Sequence, residues 1–151
     1  MSVRVENAAD SDLESVADLL HALFTQEAEF RPDRDKQLRA LRMFLDEPVA
    51  GRLFVAREGD RVIGMASLQF EISTALGGRA AWVEDVIVDA AHRGRGVGAL
   101  LFEHIVAFAR DEGLLRLSLL TDNDNVVAQN MYTRFGFVRS GMLPMRLILD
   151  V

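Results

Sequence analysis

The chain contains no cysteine, which removes disulfides, thiolate metal sites and cysteine nucleophiles together. Histidine is scarce, and His21, His92 and His104 do not have the spacing of a metal centre. No apolar run approaches the roughly 18 residues of a membrane span. The opening Met-Ser-Val-Arg-Val-Glu-Asn also lacks the apolar centre of a secretion signal. A soluble, cytoplasmic protein without a membrane partner is therefore expected. A basic excess is missing too: 17 Lys and Arg stand against 23 Asp and Glu, for a net charge of −6. Nucleic acid needs a basic surface, so it is not expected as a partner. A cationic substrate is compatible with the acidic balance, which by itself decides little.

What is present is enough for a core. Half of the 151 residues are hydrophobic, and that length fits one domain, 1–151. Val3 and Val5 alternate in a short strand over 2–6. Asp10-Ser-Asp12 signals a helix start, and apolar spacing continues to about 28. Pro32 interrupts, and a second helix over 33–45 ends before Pro48 and Gly51. Segments 52–57 and 62–70 form a hairpin around Glu58-Gly-Asp-Arg61. A loop at 74–79 leads to a strand over 80–88, then come a helix over 98–112, a strand over 114–120 and a helix over 124–134. An extended piece at 137–139 and a last strand at 145–149 complete a mixed α/β order around a central sheet.

The chemistry concentrates in residues 86–98, Val-Ile-Val-Asp-Ala-Ala-His-Arg-Gly-Arg-Gly-Val-Gly. An apolar strand, a basic glycine-rich loop and an amphipathic helix follow one another without a break. Glycines at 94, 96 and 98 leave the backbone bare where the helix begins. The first N–H groups of a helix lack intrahelical partners and carry the positive end of its dipole. This makes a phosphate or pyrophosphate site, with Arg93 and Arg95 adding charge. Gly98 is followed by Ala99-Leu100, not Lys-Ser/Thr, which argues against a nucleotide-hydrolysing P-loop. A dinucleotide fingerprint is formally present as Gly94, Gly96 and Ala99, with Asp122 downstream. Its loop leaves the strand through 89–93, however, where such a turn is tight, and too little chain follows for a doubly wound sheet.

A second pattern lies downstream. Asn125-Val-Val-Ala-Gln-Asn-Met-Tyr132 places Asn125, Ala128 and Tyr132 on one helical face, with Gly136-Phe137 after it. Arg93-x-x-Gly96-x-Gly98 resembles the pyrophosphate loop of the GNAT superfamily of acetyl-CoA-dependent N-acetyltransferases. Asn-x-x-Ala-x-x-x-Tyr-x-x-x-Gly-Phe resembles the other signature of the same superfamily, in the right order. The resemblance covers 80–149 strongly and the remainder by element order.

The resemblance implies the GNAT fold: a mixed sheet of about six to seven strands, splayed at the acetyl-CoA site and flanked by about four helices. It implies transfer of an acetyl group from acetyl-CoA, as co-substrate and without a metal, to a primary amine by direct attack. The loop from Gly94 through Arg95, Gly96, Val97 and Gly98 to Ala99 would hold the pyrophosphate, with Arg93 beside it. The backbone of Val86, Ile87 and Val88 would pair with the pantetheine arm like another strand. Asn125 would hydrogen-bond that arm, and Ala128 would let it pass close to the helix.

Tyr132, the only tyrosine, would protonate the departing thiolate. For the base, Glu84 and Asp85 are adjacent inside the apolar strand Trp82-Val-Glu-Asp-Val-Ile-Val88. Strand alternation would put Glu84 with Trp82 and Val86, facing the acceptor, and Asp85 on the opposite side. A salt bridge for Glu84, a core role for Tyr132, or a water chain as base are the alternatives. The Glu-Asp pair resembles the glucosamine-phosphate acetyltransferase branch. A branch acting on protein N-termini carries a Glu five residues before the motif asparagine, where this chain has Leu120.

Phe24, Glu27, Glu29, Phe30 and Arg31, with the loop at 73–79, would shape a pocket for a small-molecule or protein amine. No residue names the acceptor, and a homodimer is left open. Two readings from other classes stand beside the enzyme. One is a non-catalytic acyl-CoA-binding module, which needs neither Tyr132 nor Glu84. The other is a small nucleotide-binding oxidoreductase domain.

Overall fold

The Val3/Val5 alternation finds its partner far along the chain. In the computed structural model, which describes residues 2–26 and 33–149, β1 (Val3–Asn7) pairs antiparallel with β2 (Gly51–Glu58), Val5 opposite Ala56. The hairpin joins β2 to β3 (Arg61–Ser73), with Gly59 at φ 59° in the two-residue turn. β4 (Gly78–Val88) returns antiparallel to β3, and Ser73 pairs with Gly78. The ladder thus extends past both ends expected from the pattern, leaving only 74–77 as the turn. The sheet order is β1-β2-β3-β4-β5, where β5 (Leu117–Leu119) runs parallel to β4. Parallel pairing needs a crossover, which α3 (Val97–Asp111) supplies.

Helices cover both faces. α1 (Leu13–Gln26) and α2 (Arg34–Asp46) pack on the face of Leu53, Val55, Met65 and Ile87, burying Val16, Ala17, Leu20 and Leu41. Asp33 caps α2 by accepting from Lys36 N–H at 3.2 Å. Arg34 then ion-pairs Asp18 at 2.8 Å and also Glu14, joining α2 to α1. On the other face Phe54 meets His104 and Phe108 of α3 edge-on, at centroid distances of 4.8 and 5.4 Å. Asp12, just before α1, accepts from Ala9 N–H at 2.8 Å and takes both terminal nitrogens of Arg57 at 2.8 and 2.9 Å. Arg57 Nε donates to Glu6 at 2.6 Å. One guanidinium therefore ties β1, β2 and the start of α1 together.

The described residues divide into two compact units between Leu120 and Thr121. The second carries α4 (Val126–Arg134). No strand forms at 137–139 or 145–149, so the sheet has five strands among the described residues and not six to seven. An apolar segment alone does not make a strand: the backbone needs a neighbour to bond, and α4 is the only regular element in 121–149.

Candidate functional site

Where β4 ends, the chain turns through residues 89–96 into α3. Asp89 N–H still bonds Ile63 C=O at 2.8 Å, and His92 N–H closes a tight turn onto Asp89 C=O at 2.8 Å. Gly94 and Gly96 then adopt φ of 78° and 80°, the left-handed region that disfavours any Cβ. Gly96 is the residue before α3 and has no side chain to cap it. The first intrahelical bond runs from Leu100 N–H to Gly96 C=O at 3.1 Å. The N–H groups of Val97, Gly98 and Ala99 precede it and have no intrahelical acceptor. A Cβ built on Gly94 or Gly96 would meet nothing within 4 Å, so the space beside these amides is open. Three convergent donors, a helix dipole and open space suit an anion with several oxygens.

The two loop arginines are held differently. Arg93 folds back, its Nε donating to Val88 C=O at 3.2 Å. Arg95 pairs with Glu58 at the end of β2. The Arg95 guanidinium beside it holds the Glu58 carboxyl below the usual carboxylate range.

The strand beside this loop is open along one side. β4 and β5 pair only from Ala81 to Val83, opposite Leu117 to Leu119. From Glu84 to Val88, β4 keeps β3 on one side and has no ladder on the other among the described residues. The backbone of Val86, Ile87 and Val88 therefore borders a splay, a ready edge for an extended ligand.

A bulge sits at the same place. Ala66 pairs with Val86 but Leu68 pairs with Val83, so Ser67 alone stands opposite Glu84 and Asp85. The bulge corrects the simple alternation. Trp82 pairs with Gln69 and Val86 with Ala66, positions of opposite parity on β3, so Trp82 and Val86 lie on opposite faces. Asp85 N–H donates to Ser67 Oγ at 3.1 Å, and that hydroxyl reaches the Asp85 carboxylate at 3.5 Å. Ser67 is buried and Glu84 is exposed. Of the adjacent acids, one is tied inward and one meets solvent. Trp82 Nε1 donates to Glu71 at 2.7 Å, and Arg116 donates to the other oxygen of Glu71 at 2.8 Å, which fixes the indole near the splay.

In the second unit Asn125 caps α4, its side-chain oxygen accepting from Ala128 N–H at 3.3 Å. The cap engages the oxygen, so the amide NH₂ is the part suited to donate to a ligand. Tyr132 packs edge-on against Phe137, centroids 6.1 Å apart. Burial pushes its phenol up from the ordinary value, which keeps the proton on the oxygen through neutral pH.

Of the pocket residues expected on the opening helices, Phe24 is half-buried against the core of α1 and α2, while Glu27, Glu29, Phe30 and Arg31 lie outside the described residues. Sequence reasoning missed Glu58, Ser67 and Glu71, which reach the site by cross-strand register. It also passed over the Asp89–His92 pair, whose three-residue spacing across a turn was readable. Among the described residues no group of three or more His, Asp or Glu could hold a metal ion. None of their helices is long and apolar enough to cross a membrane.

Comparison with known proteins bears on the same elements. The chain is 35% identical over 103 residues to a streptothricin acetyltransferase of Streptomyces lavendulae, covering 64% of this chain and 49% of that protein. It is 30% identical over 102 residues to a glucosamine 6-phosphate N-acetyltransferase of Trypanosoma brucei brucei, covering 67% of each. The chain spans about half the length of the first of these relatives. An integron cassette protein from the mobile metagenome of Cole Harbour Salt Marsh superposes with a TM-score of 0.84 at 28% identity, over 97% of this chain and 91% of that one. The acetyltransferase (GNAT) family matches residues 13–137, from the start of α1 through the glycine loop and α4 to Phe137. With the splayed sheet and the unbonded α3 amides inside that match, the chain belongs to the GNAT family of acetyltransferases.

Proposed function

We propose that this protein is an N-acetyltransferase of the cytoplasm that moves the acetyl group of acetyl-CoA onto a primary amine of a small molecule. The observation that carries the reading is the combination at one end of β4: a strand edge over 86–88 that has no ladder on its outer side among the described residues, followed through the glycine loop by three helix amides with no intrahelical acceptor. An extended arm ending in a diphosphate matches both halves, and coenzyme A has that form. The amides of Val97, Gly98 and Ala99 take the diphosphate, with Gly94 and Gly96 leaving room. The backbone of Val86, Ile87 and Val88 takes the pantetheine. Asn125 and Ala128 serve the same arm, a role supported by their spacing on α4.

The amine nitrogen attacks the thioester carbonyl carbon, the carbon–sulfur bond breaks, and the sulfur leaves as thiolate. Tyr132 gives that sulfur its proton, which its raised pKa keeps available. Glu84, exposed at the bulge, takes the proton that the amine loses, directly or through a water. The transfer is direct, within a ternary complex, and no cysteine is present to carry the acetyl group as an enzyme thioester. The names of the relatives, which act on streptothricin and on glucosamine 6-phosphate, support a small-molecule amine.

Incubating the protein with acetyl-CoA and a panel of amines, with free thiol as readout, tests the reading. Turnover with at least one amine is expected. Binding of acetyl-CoA without release on any amine would leave an acyl-CoA-binding module. Thermal stabilisation by NAD(P)H and not by acetyl-CoA would overturn the site itself.

A further inference from the structure

Arg95 looks like a phosphate ligand by its place in the loop, yet its guanidinium is turned onto the neighbouring hairpin. Glu58, the last residue of β2, accepts from Arg95 and has its side chain only 15% exposed. The same carboxylate lies 3.9 Å from His92 Nε2. His92 is 12% exposed at its side chain, and its Nδ1 donates to Asp89 at 2.7 Å, which fixes the ring's tautomer. Arg61, across the hairpin turn from Glu58, reaches Asp89 at 3.7 Å. The carboxylates of Glu58 on β2 and Asp89 in the loop thus pair with the guanidinium groups of Arg95 in the loop and Arg61 on β3. Both ends of the loop segment 89–95 are pinned to one hairpin turn.

The loop needs such pinning. Two of its residues sit in left-handed conformations, and glycine restricts the backbone least of all residues. A site made of backbone amides binds well only when the amides are already aimed. We infer that Glu58 is a positioning residue: through Arg95 it docks the glycine loop on the β2–β3 hairpin and so holds the α3 amides ready for the diphosphate. Arg95 acts through Glu58 and not by touching phosphate. The inference rests on the coenzyme reading of this loop. It differs from the simpler expectation, in which Glu58 is an anion near a phosphate site and opposes binding.

The two roles predict opposite signs. Glu58→Gln keeps the size and removes the charge. Docking predicts that coenzyme A binds about two- to tenfold more weakly, the net worth of one hydrogen bond. Opposition predicts tighter binding. Arg95→Gln should weaken binding by a similar factor, and the Glu58→Gln/Arg95→Gln double variant should be no worse than either single one. Calorimetric titration with coenzyme A, and with pantetheine as a probe lacking the diphosphate, separates positioning from general loss of structure. Docking lowers coenzyme A affinity and spares pantetheine affinity, whereas a damaged fold lowers both together with Tm. Unchanged or tighter coenzyme A binding by Glu58→Gln, additive losses in the double variant, or parallel losses for both probes would overturn the inference. A wild-type protein that binds no coenzyme A would overturn the coenzyme reading and this inference with it. Wild-type binding with an unaffected Glu58→Gln variant overturns this inference alone.

Discussion

Replacing Gly96 separates three demands on that residue: backbone conformation, space and charge. Its φ of 80° is left-handed, and a Cβ there would meet nothing within 4 Å. Gly96→Ala therefore brings conformational strain without a clash, about 1–2 kcal/mol. In a chain of this length that corresponds to a fall in Tm of about 2–8 °C. Asparagine tolerates the left-handed region better, so Gly96→Asn should lose less stability than the alanine variant. Gly96→Asp has nearly the same shape as Gly96→Asn but adds an anion beside the amides of Val97, Gly98 and Ala99. As a helix N-cap, that carboxylate is mildly stabilising to the free protein.

For coenzyme binding the same carboxylate is harmful twice, since it competes for the amides and repels the ligand. Two unit charges 4 Å apart interact by about 1 kcal/mol in water and about 4 kcal/mol at a protein surface. Two diphosphate charges then cost about 2–8 kcal/mol, so the aspartate variant should bind at least about 30-fold more weakly than the asparagine variant. Titration calorimetry with acetyl-CoA, beside thermal melts of all three variants, gives both quantities. If aspartate and asparagine variants bind within threefold of each other while both remain folded, the diphosphate is not at these amides.

Tyr132→Phe should lower kcat by about 10²–10⁴-fold and leave acetyl-CoA affinity unchanged; equal turnover would return Tyr132 to a packing role. Glu84→Gln should keep the fold and flatten the low-pH limb of kcat/KM, while Asp85→Asn, which removes the carboxylate that accepts from the Ser67 hydroxyl, should change Tm more than rate. Turnover lost in the Asp85 variant and kept in the Glu84 variant would assign the base to Asp85. Asp12→Asn should destabilise by about 2–4 kcal/mol, because both Asp12 and Arg57 are largely buried and Glu6 only partly compensates. Arg57 holds the Asp12 carboxyl below its ordinary value. That stability is therefore present above the unfolded-state pKa near 4 and is lost as pH falls through the lower folded-state value. Urea melts from pH 7 down to pH 2 should show a shallower acid limb for Asp12→Asn, and a parallel limb would remove the pair from the account.

What could be read in the residues was what is local. The glycine loop announces its conformation because left-handed positions need glycine, and Gly94 and Gly96 are found there. The helix start at Asp33 was legible for a similar reason, a short side-chain oxygen where the amides need it, whereas the last helix, expected from 124, begins at Val126 with Asn125 as its cap. The hairpin at Gly59 likewise needs only its own neighbours. By contrast, 145–149 is apolar enough for a strand, yet pairing is decided by a partner that the segment itself does not contain.

The bulge at Glu84 and Asp85 shows the same limit at the point that matters most for chemistry. Period-two reasoning assigns the two acids to opposite faces, and it holds only while each residue has one partner. Ser67, 17 and 18 residues upstream of the pair, stands opposite both. No feature of Trp82 to Val88 records that mismatch, because it arises from how β3 and β4 are registered at their ends. From Ser73↔Gly78 to Leu68↔Val83 the pairing is regular, and Ala66↔Val86 is regular in a frame shifted by one residue. The shift puts Val86 on the face opposite Trp82, ties Asp85 to a buried hydroxyl and leaves Glu84 exposed. The β4–β5 ladder also stops at Val83, immediately before the bulge. The irregularity that blurs the assignment of the base thus begins where the splay opens. The parting of β4 from β5 and the redirection of a carboxylate beside it are one local departure from regular pairing.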